Sequence, residues 1–87
     1  MAESHENRLK RLKMRSMRRG IKEMDIILSR YADAYLSQMD DAALDHYEAL
    51  LNENDQDLYQ WVSGQAAAPE ALSDLISQIS EHVHSTQ

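Results

Sequence analysis

Apolar residues along this chain recur at helical spacing, and no convincing strand-like alternation appears. The longest stripe is Ile21, Met24, Leu28, Tyr31 and Tyr35, widened by Ile27; it predicts a helix from Ile21 to about Leu36 that forms the centre of the core. Upstream, the thin line Leu9, Leu12, Ser16 predicts a first helix from about Glu3 to Arg18, with Ser4 as N-cap and Glu6 near the positive helix end. Downstream, Asp40 is a suitable N-cap for a third helix. Met39 and Leu44 fall at the positions of a hydrophobic staple, Leu44, Tyr47, Leu50 and Leu51 form the inner face, and the helix should stop near Asn52. A short fourth helix is expected with Asp55 as N-cap, Asp57 in the first turn, Leu58, Tyr59, Trp61 and Val62 packing, and Gly64 closing it. Pro69 suits the first position of a fifth, whose stripe is Leu72, Leu75, Ile76, Ile79 and Val83, with fraying expected from His82 onward.

Composition sharpens this pattern into a fold class. With two glycines and one proline in 87 residues, an all-α chain is predicted: a single small five-helix bundle over 1–87, its core about 8–83 and its termini frayed. The absence of cysteine excludes disulfides, a thiolate zinc site and a Cys nucleophile together. The longest aliphatic run is Ile26-Ile27-Leu28, far short of the roughly 20 apolar residues of a membrane span, so no membrane insertion is expected. The N-terminus carries Glu3 and Glu6 and has no secretory pattern, which makes a cytoplasmic protein the expectation.

Charge is distributed unevenly. The net value is −6, yet all nine Lys and Arg lie between Arg8 and Arg30, while residues 31–87 hold eleven carboxylates. Arg8, Arg11, Arg15, Arg18 and Lys22 recur at spacings of three and four and would stack as a basic stripe on a helix. Such a stripe can steer a protein partner, or it can attract the acidic half of the same fold. Nucleic acid is a poor candidate for the partner, because the total is acidic and aromatic stacking platforms are nearly lacking among the basic residues.

Catalytic chemistry finds little support. The carboxylates fall at caps and on polar faces, whereas a division of acid and base roles needs a cleft with unequal environments. His5, His46, His82 and His84 have no His partner three or four positions away, so no metal site is expected, and the two glycines are too far apart for a phosphate loop. The chain is read as a non-enzyme.

The junction Arg18-Arg19-Gly20-Ile21-Lys22-Glu23 is the best binding candidate. Gly20 fits the position just past the first helix and the N-cap of the second. It also permits close approach of a partner's backbone, with the opposite charges of Arg19 and Glu23 beside the contact. The local alternative is that Arg19 is an end-of-helix charge, Gly20 a cap and Glu23 a complement to the next helix terminus; an Arg19–Glu23 pair would stabilise by only about 0.2–0.5 kcal/mol.

Arg19-Gly20-Ile21-Lys22-Glu23, followed by Met24-Asp25-Ile26 and later by Asn54 to Val62 (NDQDLYQWV), resembles the SdhE family, the FAD assembly factors of succinate dehydrogenase. The likeness spans about residues 8–83. It implies a small helical protein that binds the flavoprotein subunit of succinate dehydrogenase or fumarate reductase and promotes covalent attachment of FAD, with no cofactor of its own. It further implies that Arg19, Gly20 and Glu23 face the client, flanked by Arg15, Arg18 and Lys22, while Asp55, Asp57, Leu58, Tyr59 and Trp61 mainly build the fold. The chain departs from familiar bacterial members at Met14 to Met17, where a tryptophan and a cysteine commonly precede the motif, and at Gln56, where a proline is often found. A free monomer is expected. The alternative is a regulatory or antitoxin-like binding module with a different partner, distinguished by which protein co-purifies.

Overall fold

The computed structural model describes residues 3–85, which form five α-helices, one 3-10 turn and no strand. Helix α1 is His5–Arg15, α2 Lys22–Tyr35, α3 Asp41–Leu51, α4 Asp55–Val62 and α5 Glu70–Ser85, with the 3-10 turn Leu36–Gln38 continuing α2. Two of the expected caps are in place: Ser4 Oγ accepts from Asn7 N–H at 3.1 Å, and an oxygen of Asp40 accepts from Ala43 N–H at 2.8 Å. Gly64 has φ +83° just past α4, and Gln65 N–H bonds back to Gln60 O at 2.8 Å, which closes the helix as its position suggested.

Several boundaries differ from expectation. Helix α1 ends at Arg15, three residues before Arg18: Met17 N–H bonds Met14 O at 3.1 Å in a tighter turn and Arg18 then reverses the chain, while the Ser16 hydroxyl donates to Leu12 O at 2.9 Å. The left-handed residue of that bend is Arg18, φ 55°, and Gly20 serves as neither the C′ residue of α1 nor the N-cap of α2, a place taken by extended Ile21. The N-cap of α4 is Asn54, whose side chain accepts from Gln56 N–H at 2.8 Å; Asp55 is the first helical residue, and its carboxylate is engaged elsewhere. Pro69 sits immediately before α5. That helix runs through His82 to Ser85, so fraying does not begin at His82; the residues after Ser85 lie outside the described residues.

Helix α2 is central, packing on α1, α4, α5 and the 3-10 turn. It buries Met24, Leu28, Tyr31 and Ala32, against which α3 contributes Leu44, Tyr47, Leu50 and Leu51, and α5 contributes Leu72, Leu75, Ile76 and Ile79. Full burial of a Leu or Ile side chain stabilises by about 1.5–3 kcal/mol, so these stripes are the main source of cohesion. The Tyr31 hydroxyl reaches Gln78 Oε1 at 3.2 Å, whereas Tyr35 at the end of the stripe is 40% exposed. Trp61 is only partly buried at the core's edge.

Helix α1 is attached differently. Leu12 is its one buried residue, so charge supplements packing. Arg8 contacts Asp45 and Glu48; Arg11 places Nη1 2.8 Å from Glu48 and grips Glu3 with two bonds of 2.9 Å; Arg15 donates to Asn52 at 2.7 Å. Most of the basic stripe therefore meets the acidic face of α3. The hydrogen bond from Arg11, followed by the charges of both arginines, holds the Glu48 carboxyl below the usual carboxylate range.

Candidate functional site

The segment between α1 and α2 begins with a buried polar anchor. Ser16 is fully buried, and its one hydroxyl proton goes to Leu12 O, so the Tyr47 hydroxyl, 2.6 Å away, donates to Ser16 Oγ. From there the chain passes the exposed Met17 and Arg18 and reaches Arg19, whose side chain is 11% exposed and points inward.

Arg19 reaches the start of α4. Its Nε donates to Asp55 Oδ1 at 2.7 Å, Nη1 to Arg15 O at 2.9 Å and Nη2 to Leu51 O at 3.1 Å. The other oxygen of Asp55 accepts from Gly20 N–H at 2.6 Å. One carboxylate thus bridges a guanidinium and the next residue's amide, and both bonds are charge-assisted. Gly20 allows this closeness: a Cβ there would lie 3.2 Å from Asp55 Oδ2, tight against a carboxylate that Arg19 already holds. The close approach that the glycine permits is occupied by the chain's own Asp55.

Around this anchor the candidate residues divide in two. Arg19 and the half-buried Arg15 are engaged with the fold, and the Arg19–Glu23 pair of the local alternative does not form, since Asp55 takes Glu23's place. Arg18, Lys22 and Glu23 are exposed and make no ion pair among the described residues. Glu23 also borders a shallow groove of about 350 Å³ lined chiefly by Ile26, Ile27, Tyr59, Val62 and Val83. Ile26 is 45% exposed at its edge. The arrangement offers opposite charges beside an apolar strip on a fixed backbone, which suits protein recognition. Among the described residues no group of three His, Asp or Glu side chains could hold a metal ion, and no helix is long and apolar enough to cross a membrane.

The sequence model of the Sdh5 family, described as the flavinator of succinate dehydrogenase, matches residues 10–83. This chain belongs to the Sdh5 family. Similar curated proteins carry the name succinate dehydrogenase assembly factor 2, mitochondrial. That of Meyerozyma guilliermondii is 43% identical over 61 residues, covering 70% of this chain and 45% of its own length. That of Scheffersomyces stipitis is 44% identical over 61 residues, covering 70% and 41%, and that of Lodderomyces elongisporus is 49% identical over 53 residues, covering 61% and 32%. The chain spans less than half the length of these relatives. The Sdh5 family match includes the whole Arg19–Glu23 segment, from the turn into the first residues of α2, and Asp55, the residue that anchors the turn. Sequence reasoning placed Asp55 at a helix cap. The aspartate beside a helix start was visible, but nothing local could show that its partners lie 35 and 36 positions upstream.

Proposed function

We propose that this chain is an assembly factor that binds the flavoprotein subunit of succinate dehydrogenase or fumarate reductase and promotes covalent FAD attachment, without being an enzyme itself. The observation that carries this reading is the family match over residues 10–83, which takes in the turn bearing Arg19 and Gly20 and the start of α2 bearing Glu23. The client-facing set is Gly20 and Glu23 with Arg18 and Lys22 flanking. Arg19 and Arg15 support that surface from behind, since their guanidinium groups are bonded within the fold. The flavin stays with the client and the chain carries no cofactor of its own. The free chain acts as a monomer in the aqueous compartment where the flavoprotein folds, the cytoplasmic setting of the sequence reading.

Flavinylation requires the flavin ring and a client side chain to be held in attack geometry. Positioning alone can supply up to about 7–11 kcal/mol of barrier lowering, so a helper that contributes no acid or base can still accelerate the step. Here the helper's part is to grip one client conformation through Glu23 and Lys22, whose charges face solvent, and through the apolar strip at Ile26.

The test is co-expression with the flavoprotein subunit, followed by denaturing electrophoresis and in-gel flavin fluorescence. Glu23→Ala and Gly20→Arg should keep helical circular dichroism and lose covalent flavin. Full flavinylation with both variants would refute the site.

A further inference from the structure

We infer that Asp55 is a positioning residue for partner binding: its carboxylate, by bridging Arg19 Nε and Gly20 N–H, holds the turn between α1 and α2 in one shape, so that Arg18, Lys22 and Glu23 meet a partner already arranged. The inference rests on the function proposed above and extends the site to a residue outside the loop. Its basis is the sparse anchoring of that turn. Among the described residues, the one hydrogen bond donated by a backbone N–H of residues 18–21 is that of Gly20 to Asp55. Arg18 also holds φ 55°, a conformation that a non-glycine residue keeps only when its surroundings impose it.

The carboxylate is suited to the task because it has two oxygens for two donors. Oδ1 takes the guanidinium at 2.7 Å and Oδ2 the amide at 2.6 Å, in a setting where both side chains are over four-fifths buried. Arg19 extends the hold to Arg15 O and Leu51 O, tying the ends of α1 and α3 to the same point. An asparagine keeps the volume but offers one oxygen and an NH₂ group; the oxygen stays with the charged guanidinium of Arg19, which leaves the NH₂ facing the Gly20 N–H, donor against donor. Release of the turn would restore conformational freedom that a partner must remove again on binding, which weakens affinity without deleting any contact.

The experiment compares Asp55→Asn with wild type in two assays. By NMR of the isolated protein, the Gly20 amide proton should move upfield and exchange faster in Asp55→Asn, with the other amide resonances largely retained. In titrations against the flavoprotein subunit, Kd should rise about tenfold while covalent flavin at saturating assembly factor matches wild type. Leu72→Ala, a core change in α5, should lower stability and keep both the Gly20 resonance and Kd. If Asp55→Asn does not fold, Arg19→Lys, which loosens the bridge at its guanidinium side and leaves the Gly20 bond in place, is read by Kd against the subunit alone, where wild-type affinity would overturn the inference. In Asp55→Asn, a freed Gly20 amide with wild-type Kd would overturn the inference, as would an unaltered Gly20 amide. Wild-type chain that fails to bind the subunit overturns the proposed function instead, and the Gly20 amide still reports whether Asp55 holds the turn.

Discussion

Ser16→Ala is the most informative perturbation of the core. Ser16 and Tyr47 are both fully buried, their hydroxyls lie 2.6 Å apart, and Ser16 passes its proton on to Leu12 O. Removing the Ser16 oxygen strands the Tyr47 hydroxyl, whose one hydrogen-bond partner among the described residues is Ser16. A buried donor left unmatched costs about 1–3 kcal/mol, so a loss near 2 kcal/mol is expected, or about 8–16 °C in Tm for a domain of this size. Tyr47→Phe is milder, about 0.5–1.5 kcal/mol, because Ser16 keeps its bond to Leu12 O. In the double variant no stranded donor remains, so its cost should fall short of the sum of the single costs by about 1 kcal/mol. Urea unfolding of the four proteins, followed by circular dichroism, measures the cycle. Costs that add to within about 0.5 kcal/mol would refute the proton assignment and leave the two hydroxyls energetically independent.

Tyr47 also sets an alkaline limit. Burial pushes its phenol from 10.0 up to about 12, so its contribution is complete below pH 10 and is lost as pH rises from 10 through 12, a change of about 3 kcal/mol. Tyr47→Phe should flatten stability over that window, as read from Tm against pH. At the acid end, Glu48 is held below 4.5 chiefly by its hydrogen bond from Arg11, so its contribution is present above pH 4.5 and lost as pH falls below it; Glu48→Gln should weaken that acid dependence in urea unfolding. Trp61→Ala should destabilise by about 2 kcal/mol by thermal melting, below the 3–5 kcal/mol of a fully enclosed ring, because Trp61 is only partly buried; an unchanged Tm with lost client binding would assign it to the interface.

The elements that could be read from sequence are those governed by neighbours. The caps Ser4 and Asp40, the glycine closing α4, the α5 stripe and Met24, Leu28 and Tyr31 of the α2 stripe depend on spacings of three to seven residues and stand where those spacings put them, while Tyr35 at the end of the α2 stripe is exposed. The bend after α1 was misread because a glycine two residues beyond Arg18 looked like the natural left-handed position. Tertiary contact decided otherwise, fixing Gly20 against Asp55 and leaving Arg18 to make the reversal. For the same reason Arg19 read as a free charge facing a partner. A guanidinium's destination depends on what the fold brings within reach, and here that is a carboxylate 36 positions away. The basic stripe had two readings, and the contacts of Arg8, Arg11 and Arg15 with α3 assign most of it to the internal one.

That internal neutralisation governs how an encounter begins. With six of the nine cationic side chains paired among the described residues, the charge felt within a Debye length of about 8 Å of the surface is net negative, relieved by Arg18, Lys22 and Arg30 at the α1–α2 turn and along α2. A macromolecule with an acidic patch is turned toward that turn before any contact is made and is repelled from the rest of the surface. Added salt should therefore slow association far more than it hastens dissociation, a kinetic asymmetry set by the three cations that make no ion pair among the described residues.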